Sequence, residues 1–285
     1  MNRGLPILLF ACGLFAQDHS GWRDYAGAAD SAQYTSLTQI DKSNVGRLEI
    51  AWTFPTGDGR KYSFNPLMAD GMLYVLAKSN SIVALDATSG KEMWNYTMTP
   101  PPATITTRGI NYWKSKDGRE SRLFFCADHR LRAIDAKTGK AIESFGQNGA
   151  VELKEGLDRD PKALALVQSM TPGRVFEDLI ILGSATNQGY GSGPGDIRAF
   201  DVRTGKLVWV FHTVPRPGEY GYETWPKDAF PTWALGAPNA GVFVTLKDSR
   251  RICAVRPSWT TRFLCIDRSR SKDPGARRRF RPALP

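Results

Sequence analysis

The sequence predicts an all-β protein: a partial β-propeller of four-stranded antiparallel blades that form an incomplete ring. Three observations predict this class. A β-rich unit with a shared plan occurs three times along the 285 residues. Each copy is too short to close a core alone, so the copies must stack on one another. The 27 Gly and 18 Pro fit the tight turns that short antiparallel strands require.

The first 16 residues are predicted to be a secretory signal peptide. One Arg precedes an apolar run at residues 5–15, and the small Ala16 precedes polar sequence, a pattern typical of export signals. The run is shorter than the ~20 apolar residues that a transmembrane helix needs. Lipidation at Cys12 is the alternative interpretation. Either way, we expect an exported protein that works in the periplasm.

The repeated unit is clearest in "MLYVLAKSNSIVALDATSGKEMWNYTM", at residues 72–98. It contains a strand, a turn, a second strand that ends in Asp, a Ser/Thr-Gly-Lys turn and a third strand. We expect the Asp to cap the turn by accepting hydrogen bonds from the N–H groups that follow it. The Gly supplies a positive φ. The three copies place these residues at Asp86, Asp135 and Asp201, and at Gly90, Gly139 and Gly205.

An aromatic residue closes the unit. Trp94 and Trp209 each lie eight residues after the repeat Asp, whereas the second unit has Glu143 there and Phe145 two residues later. The Trp ring is predicted to dock across the junction with the next blade. A partial copy at residues 37–54 is predicted to supply an outer strand that carries Trp52. We interpret these repeat positions as architecture and assign no catalysis to them.

The repeats are unevenly spaced, and the extra length indicates where a site forms. The repeat aspartates are 49 and then 66 residues apart. The additional residues lie at 146–170, where residues 161–170 are predicted to form a short helix, and in the glycine-rich stretch 187–196. Long insertions in a propeller usually build a binding site on one face.

The basic charge is confined to one end of the chain. Residues 241–285 contain ten Arg and two Lys against three Asp, so this block carries +9 of the net +10. The neutral body does not indicate nucleic-acid binding. The repeat pattern fills residues 17–240 and stops there. We expect residues 241–285 to be an aberrant tail from a frameshift or a fragment end; a basic arm for nucleic acid or anionic lipid is the alternative.

Cysteine and histidine usage predicts neither a disulfide framework nor a metal cluster. The body holds one thiol, Cys126, inside the apolar run "LFFCA", and it is predicted to be a buried small residue. The three histidines lie far apart in the sequence, at His19, His129 and His212.

Several motifs in the same order resemble those of a known family. They are the repeats "ALDATSGKEMW" and "AFDVRTGKLVW", the opening at residues 22–57, "TTRGINYW" at 106–113, and residues 195–226. Over residues 21–239 the chain resembles the tryptophan-docking quinoproteins, periplasmic dehydrogenases that use pyrroloquinoline quinone (PQQ). The resemblance implies an eight-bladed propeller with PQQ in the axial channel near a bound Ca²⁺. It also implies an alcohol or sugar substrate and a quinone or cytochrome electron acceptor. The neutral body of the chain predicts no nucleic-acid partner.

The resemblance implies roles for particular residues. Arg108 matches the family Arg, whose planar guanidinium can donate two parallel hydrogen bonds to a carboxylate of PQQ. A small-residue loop would contact PQQ, and the position near its end often carries a carboxylate that binds Ca²⁺. Amide oxygens bind Ca²⁺ more weakly than carboxylates do. The family's catalytic Asp lies beyond the matching region, so no catalytic residue is assigned. The loop residues are Ser184, Ala185 and Thr186 for the cofactor, and Asn187 and Gln188 for the metal.

Two departures and the length of the match shape the functional expectation. Adjacent cysteines before Arg108 are missing, and Ser63 stands where many members have Glu; both favour the glucose-dehydrogenase side or a divergent branch. Residues 17–240 provide room for about four blades. We therefore expect a truncated, inactive fragment of a PQQ-dependent dehydrogenase. The alternative is a non-enzymatic scaffold resembling the lipoprotein of the outer-membrane barrel-assembly machinery, which would explain Cys12 but not "TRGINYW".

Overall fold

The computed structural model describes residues 19–28, 31–102, 105–106, 108–169, 171–186 and 193–226, and the backbone of three later strands. Helical structure in these residues is limited to single 3₁₀ turns at Val45–Arg47, Pro161–Ala163 and Tyr222–Thr224. No helix in this part of the chain has the length and apolar character needed to cross a membrane. The strands are β1 (Leu67–Ala69), β2 (Met72–Ala77), β3 (Ser81–Asp86), β4 (Glu92–Tyr96), β5 (Asn111–Lys114), β6 (Ser121–Ala127), β7 (Arg130–Asp135), β8 (Ala150–Glu152), β9 (Val167–Gln168), β10 (Arg174–Phe176), β11 (Leu179–Leu182), β12 (Ala185–Thr186), β13 (Ile197–Asp201), β14 (Leu207–Phe211), β15 (Phe243–Thr245), β16 (Arg251–Val255) and β17 (Phe263–Asp267).

Twelve of these strands form three antiparallel blades, which confirms the predicted fold class. Blade 1 has the order β1-β2-β3-β4, blade 2 the order β5-β6-β7-β8, and blade 3 the order β10-β11-β13-β14. The strands β9 and β12 form a separate two-stranded ribbon, and β15 to β17 form a three-stranded sheet. The described blades form an arc and do not close a ring.

The first strands of the blades lie side by side and run in the same direction. Gly109, before β5, lies against Asn65, before β1. The side-chain amide of Asn111, at the start of β5, donates to the carbonyl of Pro172, just before β10. The strands β1, β5 and β10 are therefore the inner strands of a propeller arc. We call the end at which they begin the upper face, and the opposite end the lower face.

Strand β6 is buried on both faces and connects the packing between blades. All seven of its residues are buried. Because side chains alternate across a strand, Leu123 and Phe125 pack with blade 1, whereas Phe124 and Cys126 pack with blade 3. The core therefore lies between neighbouring blades, as expected for sheets stacked face to face around an axis.

The repeat aspartates cap their turns as predicted. Asp86 Oδ1 accepts hydrogen bonds from the Thr88 N–H at 3.1 Å, the Ser89 N–H at 2.8 Å and the Ser89 hydroxyl at 2.8 Å. These bonds, the Ser89 hydroxyl first, lower the pKa of Asp86. The same three-bond pattern recurs at Asp135 and Asp201.

The tryptophan rings dock on the glycines of these turns. A Cβ added to Gly90 would lie 2.5 Å from the ring of Trp52, and one added to Gly139 would lie 2.5 Å from the ring of Trp94. Both glycines also have a positive φ, +70° and +71°. The second contact crosses from β4 of blade 1 to the turn of blade 2, which confirms the predicted docking at that junction.

The junction between blades 2 and 3 is built differently, because the second unit lacks the docking Trp. Its Phe145 is fully buried and packs on Phe124, with 5.5 Å between ring centroids. The turn of blade 3 instead meets the Val151 side chain, whose Cγ2 lies 2.6 Å from the position of a Cβ at Gly205. It also meets backbone, since the Gly146 N–H donates to the Thr204 carbonyl at 2.9 Å. Arg122 adds bonds from its Nη1 to two carbonyls of that turn, at 3.0 and 2.8 Å.

Two sequence expectations were wrong in the described residues. Residues 37–54 contain no strand, although the Trp52 ring docks on Gly90. An outer strand needs a neighbouring strand to pair with, and none lies beside this segment in the described structure. Residues 161–170 form no regular helix. A single 3₁₀ turn, Pro161–Ala163, is capped by Asp160, which accepts from the Lys162 N–H at 2.9 Å. Val167 and Gln168 then form β9, which pairs with β12 in a two-stranded ribbon.

Candidate functional site

The upper face brings the predicted cofactor segments together. Arg108 lies just before β5, which begins at this face. Strand β11 pairs antiparallel with β10, so β11 ends at the face where β10 begins, and residues 183–186 follow it there. The two segments come from adjacent blades. The topology therefore places both of them around the same end of the inner strands.

Arg108 offers an exposed guanidinium at this face. Its side chain is exposed, and its carbonyl accepts a hydrogen bond from Asn65 Nδ2 at 3.1 Å. The next residue, Gly109, has φ +132° and would bring a Cβ to 3.3 Å from the Asn65 carbonyl oxygen. Among the described residues, the Arg108 guanidinium has no ion pair. It can therefore bind a carboxylate from outside the chain.

The segment before Arg108 is fixed to the buried end of β6. Thr106 and Cys126 exchange backbone and side-chain bonds: the Thr106 N–H donates to the Cys126 carbonyl at 2.8 Å, and the Cys126 N–H donates to Thr106 Oγ1 at 2.8 Å. Cys126 is buried as predicted, and burial raises the pKa of its thiol to about 12. The thiol is therefore a structural group. The backbone of Cys126 holds the segment that precedes Arg108 through its bonds to Thr106.

The second predicted segment is partly buried behind the upper face. Ser184 is only 3% exposed, and its hydroxyl oxygen lies 3.4 Å from Arg198 Nη2. Ala185 and Thr186 form β12 and pair with Gln168 and Val167 of β9. The cofactor roles of Ser184, Ala185 and Thr186 stay predictions. Asn187 and Gln188, the predicted metal ligands, lie outside the described residues.

Sequence reasoning missed Arg198, a charged residue buried behind this segment. It is 2% exposed, and its guanidinium donates to the Glu155 carbonyl at 2.9 Å and the Leu153 carbonyl at 2.8 Å. Burial lowers its pKa to about 10. Arg198 thus connects the insertion after blade 2 to Ser184. One feature of the sequence could have indicated this burial: Arg198 lies between apolar residues in the strand "DIRAFD".

Asp196 forms a second buried polar group beside Arg198. It is 1% exposed, and its carboxylate accepts from the Thr213 N–H at 3.0 Å and faces Arg216 Nη2 at 3.4 Å. Desolvation raises the pKa of Asp196, although the Thr213 bond and Arg216 oppose the shift. Arg216 also pairs with Asp158 at 3.0 Å. The network links the end of blade 3 to the insertion after blade 2.

The N-terminal segment runs along the free edge of β1. The Met68 N–H donates to the Trp22 carbonyl at 2.8 Å, and the next turn brings Asp24 to 3.7 Å from Arg174 Nη1, at the start of β10. Burial raises the pKa of Asp24, and Arg174 opposes this shift. The segment therefore links the inner edges of blades 1 and 3. Tyr25 of this segment lies 3.8 Å from the position of a Cβ at Gly109.

Within the ranges that the structure describes, no three His, Cys, Asp or Glu side chains lie close enough to hold a metal ion.

Comparisons with known proteins agree with the propeller architecture. The family model "Glucose/ethanol/alcohol dehydrogenase, beta-propeller domain" matches residues 22–253. The chain is 32% identical over 212 residues to the dehydrogenase subunit of a quinone-type alcohol dehydrogenase from Gluconacetobacter polyoxogenes, covering 72% of this chain and 27% of that protein. It is 31% identical over 242 residues to a quinate/shikimate dehydrogenase (quinone) from Acinetobacter baylyi, covering 72% and 30%.

Among solved structures, the chain is similar to the quinohemoprotein alcohol dehydrogenase from Comamonas testosteroni. The TM-score is 0.58 at 22% identity, over 88% of this chain and 40% of that one; this likeness supports the fold alone. The chain thus spans less than a third of the length of the two relatives named above.

Proposed function

The chain belongs to the PQQ-dependent glucose/ethanol/alcohol dehydrogenase β-propeller family, and from that membership we propose that it forms the PQQ-binding part of a dehydrogenase for an alcohol or a sugar. The observation that carries the proposal is Arg108, an exposed guanidinium on the upper face without an ion-pair partner among the described residues. The relatives are named for dehydrogenation of alcohols and of quinate or shikimate.

The residues on the upper face suit a planar cofactor with several carboxylates. The Arg108 fork can donate two parallel hydrogen bonds to one carboxylate. Asn111 Oδ1, at the start of inner strand β5, is buried and has no hydrogen-bond partner among the described residues, so it is an acceptor that a polar ligand at the hub could use. When bound, PQQ supplies the hydride acceptor for the alcohol carbon. Arg108 would bind and orient its carboxylates.

Isothermal titration of PQQ into the purified chain tests this proposal. Losing a charge-assisted pair costs about 1.5–3 kcal/mol, so Arg108→Gln is expected to weaken binding roughly 10- to 100-fold. Arg119→Gln is the matched control, because Arg119 is exposed in the β5–β6 turn at the lower face and, among the described residues, its ion pair is with nearby Asp117 at 3.7 Å. Equal PQQ affinity in both variants, or no binding by the parent chain, would overturn the proposal.

We further propose that the 285-residue chain alone does not turn over substrate. The described residues form three blades of an arc, and no residue of the matching region is assigned as the catalytic base. A bound PQQ would therefore lack the group that removes the hydroxyl proton. PQQ-dependent dye reduction by the purified chain, with glucose or ethanol present, is expected to be absent; turnover would contradict this proposal.

Calcium, export and the electron acceptor are finer proposals. Asn187 and Gln188 are proposed to hold Ca²⁺ through amide oxygens, which predicts weak binding and an increase in PQQ affinity only at high Ca²⁺.

Residues 1–16 are proposed to direct export to the periplasm, where a quinone or cytochrome would take the electrons. N-terminal sequencing of the cell-envelope protein tests the export signal, and an intact Met1 would contradict it. The scaffold alternative gains no support from family membership.

A further inference from the structure

A small cavity opens on the upper face of blade 1, near the Arg108 segment. It has a volume of about 380 Å³, within the range of small-molecule sites. Residues 60–63 precede inner strand β1, Asn80 lies in the turn after β2, and Ile105 precedes β5. All these positions are at the upper face by the strand directions described above, so the cavity shares that face with Arg108.

The cavity wall carries two cations and no acid. Arg60 and Lys61 are exposed at its rim, and Tyr62, Ser63 and Asn80 add neutral hydrogen-bonding groups. Leu76 and Ile105 form the apolar part of the lining. Positive charge with hydroxyl and amide groups suits a polar, negatively charged ligand.

The nearest acid in this segment, Asp58, is bound mainly by a hydroxyl and by backbone N–H groups, and the charge of Arg60 acts on it more weakly. Asp58 accepts hydrogen bonds from the Tyr62 hydroxyl and from the Ser79 N–H, the latter at 2.6 Å. These bonds, the one from Tyr62 first, lower the pKa of Asp58, so it stays ionised while it fixes Tyr62 and the turn at Ser79. Residues 58–63 keep a net charge of +1, and the charges at the cavity rim itself are both positive.

We propose that this cavity binds a small polyhydroxy carboxylate, with Arg60 and Lys61 facing the carboxylate and Ser63 and Asn80 facing hydroxyl groups. This inference rests on the proposed function, because it makes the cavity the substrate subsite beside the cofactor face. It narrows the substrate to hydroxy compounds that carry a negative charge. Arg60 and Lys61 would act as specificity-determining residues.

A matched pair of ligands tests the charge requirement directly. Gluconate and sorbitol share a six-carbon polyol chain and differ in a carboxylate against a hydroxymethyl group. Each is titrated into the full chain without PQQ, and binding is measured by calorimetry or saturation-transfer NMR. The parent chain is expected to bind gluconate roughly tenfold more tightly than sorbitol. The preference should weaken as salt is added.

Two double variants locate the effect. Arg60→Gln with Lys61→Gln is expected to weaken gluconate binding roughly tenfold and to leave sorbitol binding unchanged. Lys116→Gln with Arg119→Gln removes the same charge types from the exposed β5–β6 turn at the lower face and should preserve the preference. All four changed side chains are exposed, so the parent fold is expected in each variant and is checked by circular dichroism.

The outcomes separate this inference from the proposed function. Equal binding of gluconate and sorbitol, or an unchanged preference in the Arg60/Lys61 variant, overturns the inference. If PQQ still binds through Arg108 in that case, the proposed function stands without it. If gluconate binds as expected but PQQ does not, the cavity is a carboxylate site and the proposed function fails.

Discussion

At the scale of single residues, the contact between a tryptophan ring and a turn glycine is the most specific feature that the sequence predicts. The ring of Trp94 occupies the space that a Cβ at Gly139 would need. The hydrogen bonds from each turn to its Asp were also predictable, because Asp, Ser/Thr and Gly at fixed offsets specify a turn without contacts to distant residues.

A substitution of Gly139 tests the docking contact. Gly139→Ala places a methyl group 2.5 Å from the Trp94 ring and should lower the free energy of unfolding by about 2–5 kcal/mol, through overpacking added to φ strain. Gly118→Ala is the control, since Gly118 has the same φ of +71° but its nearest neighbour is the flexible Lys114 Cε at 3.7 Å. Urea denaturation measures both; equal losses would show that the ring does not dock there.

Arg198 marks the limit of residue-level prediction. From the sequence, a lone Arg in a strand is expected to be a solvated surface charge. Arg198 is buried because it binds the carbonyls of residues 153 and 155, which lie more than forty positions earlier. Propensity and spacing carry no information about such a partner. The Asp196 and Arg216 contacts were missed for the same reason.

The structural role of Arg198 leads to a second prediction. Arg198→Leu removes the donor to the buried Leu153 carbonyl, whereas the carbonyl of the exposed Glu155 can bind water instead. One unsatisfied buried carbonyl costs about 1–3 kcal/mol, so the free energy of unfolding should fall by about that amount. Arg119→Leu should change stability by less than about 1 kcal/mol, because its side chain is 87% exposed and its pair is solvated. Denaturant titration of both variants decides; a loss at Arg198 no larger than at Arg119 would contradict the buried network.

At the scale of elements, strands with strong period-2 or continuous apolar patterns were predictable, and segments that need a neighbour were not. Strands β2 and β3 fall where the repeat pattern puts them. Residues 37–54 share the repeat pattern but have no strand in the structure. The pattern of apolar residues indicates which side of a strand would be buried, but a strand also needs a neighbouring strand for its hydrogen bonds. The helix prediction at residues 161–170 was wrong because β9 pairs with β12, which follows two intervening strands along the chain.

The inner strands β1 and β5 are held together at the lower face by Asp70. Its carboxylate accepts from Tyr112 Oη and Lys114 Nζ, both at 2.7 Å, and from Arg23 Nη2 at 3.3 Å. The Lys114 bond is the main cause of a lowered pKa at Asp70. Since the folded carboxyl binds a proton less readily than the unfolded one, its contribution is complete above the ordinary value of 3.8 and is lost as pH falls through the lower folded pKa.

Acid sensitivity therefore has a residue-level test at this junction. Asp70→Asn should lower stability at neutral pH and should match the parent once Asp70 of the parent is protonated in both states. The drop in free energy of unfolding between neutral pH and about pH 2 is thus smaller in the variant. Urea titrations at several pH values measure it. Parallel pH curves for the two proteins would show that Asp70 does not join the strands through its charge.

At the scale of the whole molecule, the arc of three blades explains both the match to the family and the position of the site. The inner strands run in one direction, so every loop that precedes an inner strand or follows a second strand reaches the upper face. Arg108, residues 183–186 and the basic cavity are all in such loops. The fold class and this grouping could be predicted from the repeats; how deeply Ser184 is buried could not, because it depends on packing between blades.

Hydrogen–deuterium exchange of the chain with and without PQQ tests the central claim most directly. PQQ at the hub should slow amide exchange in residues 105–111 and 183–186, on the upper face. Exchange in the lower-face turns at residues 86–91 and 135–140 should stay unchanged. Protection in those lower turns, or unchanged exchange at residues 105–111 under saturating PQQ, would contradict the account.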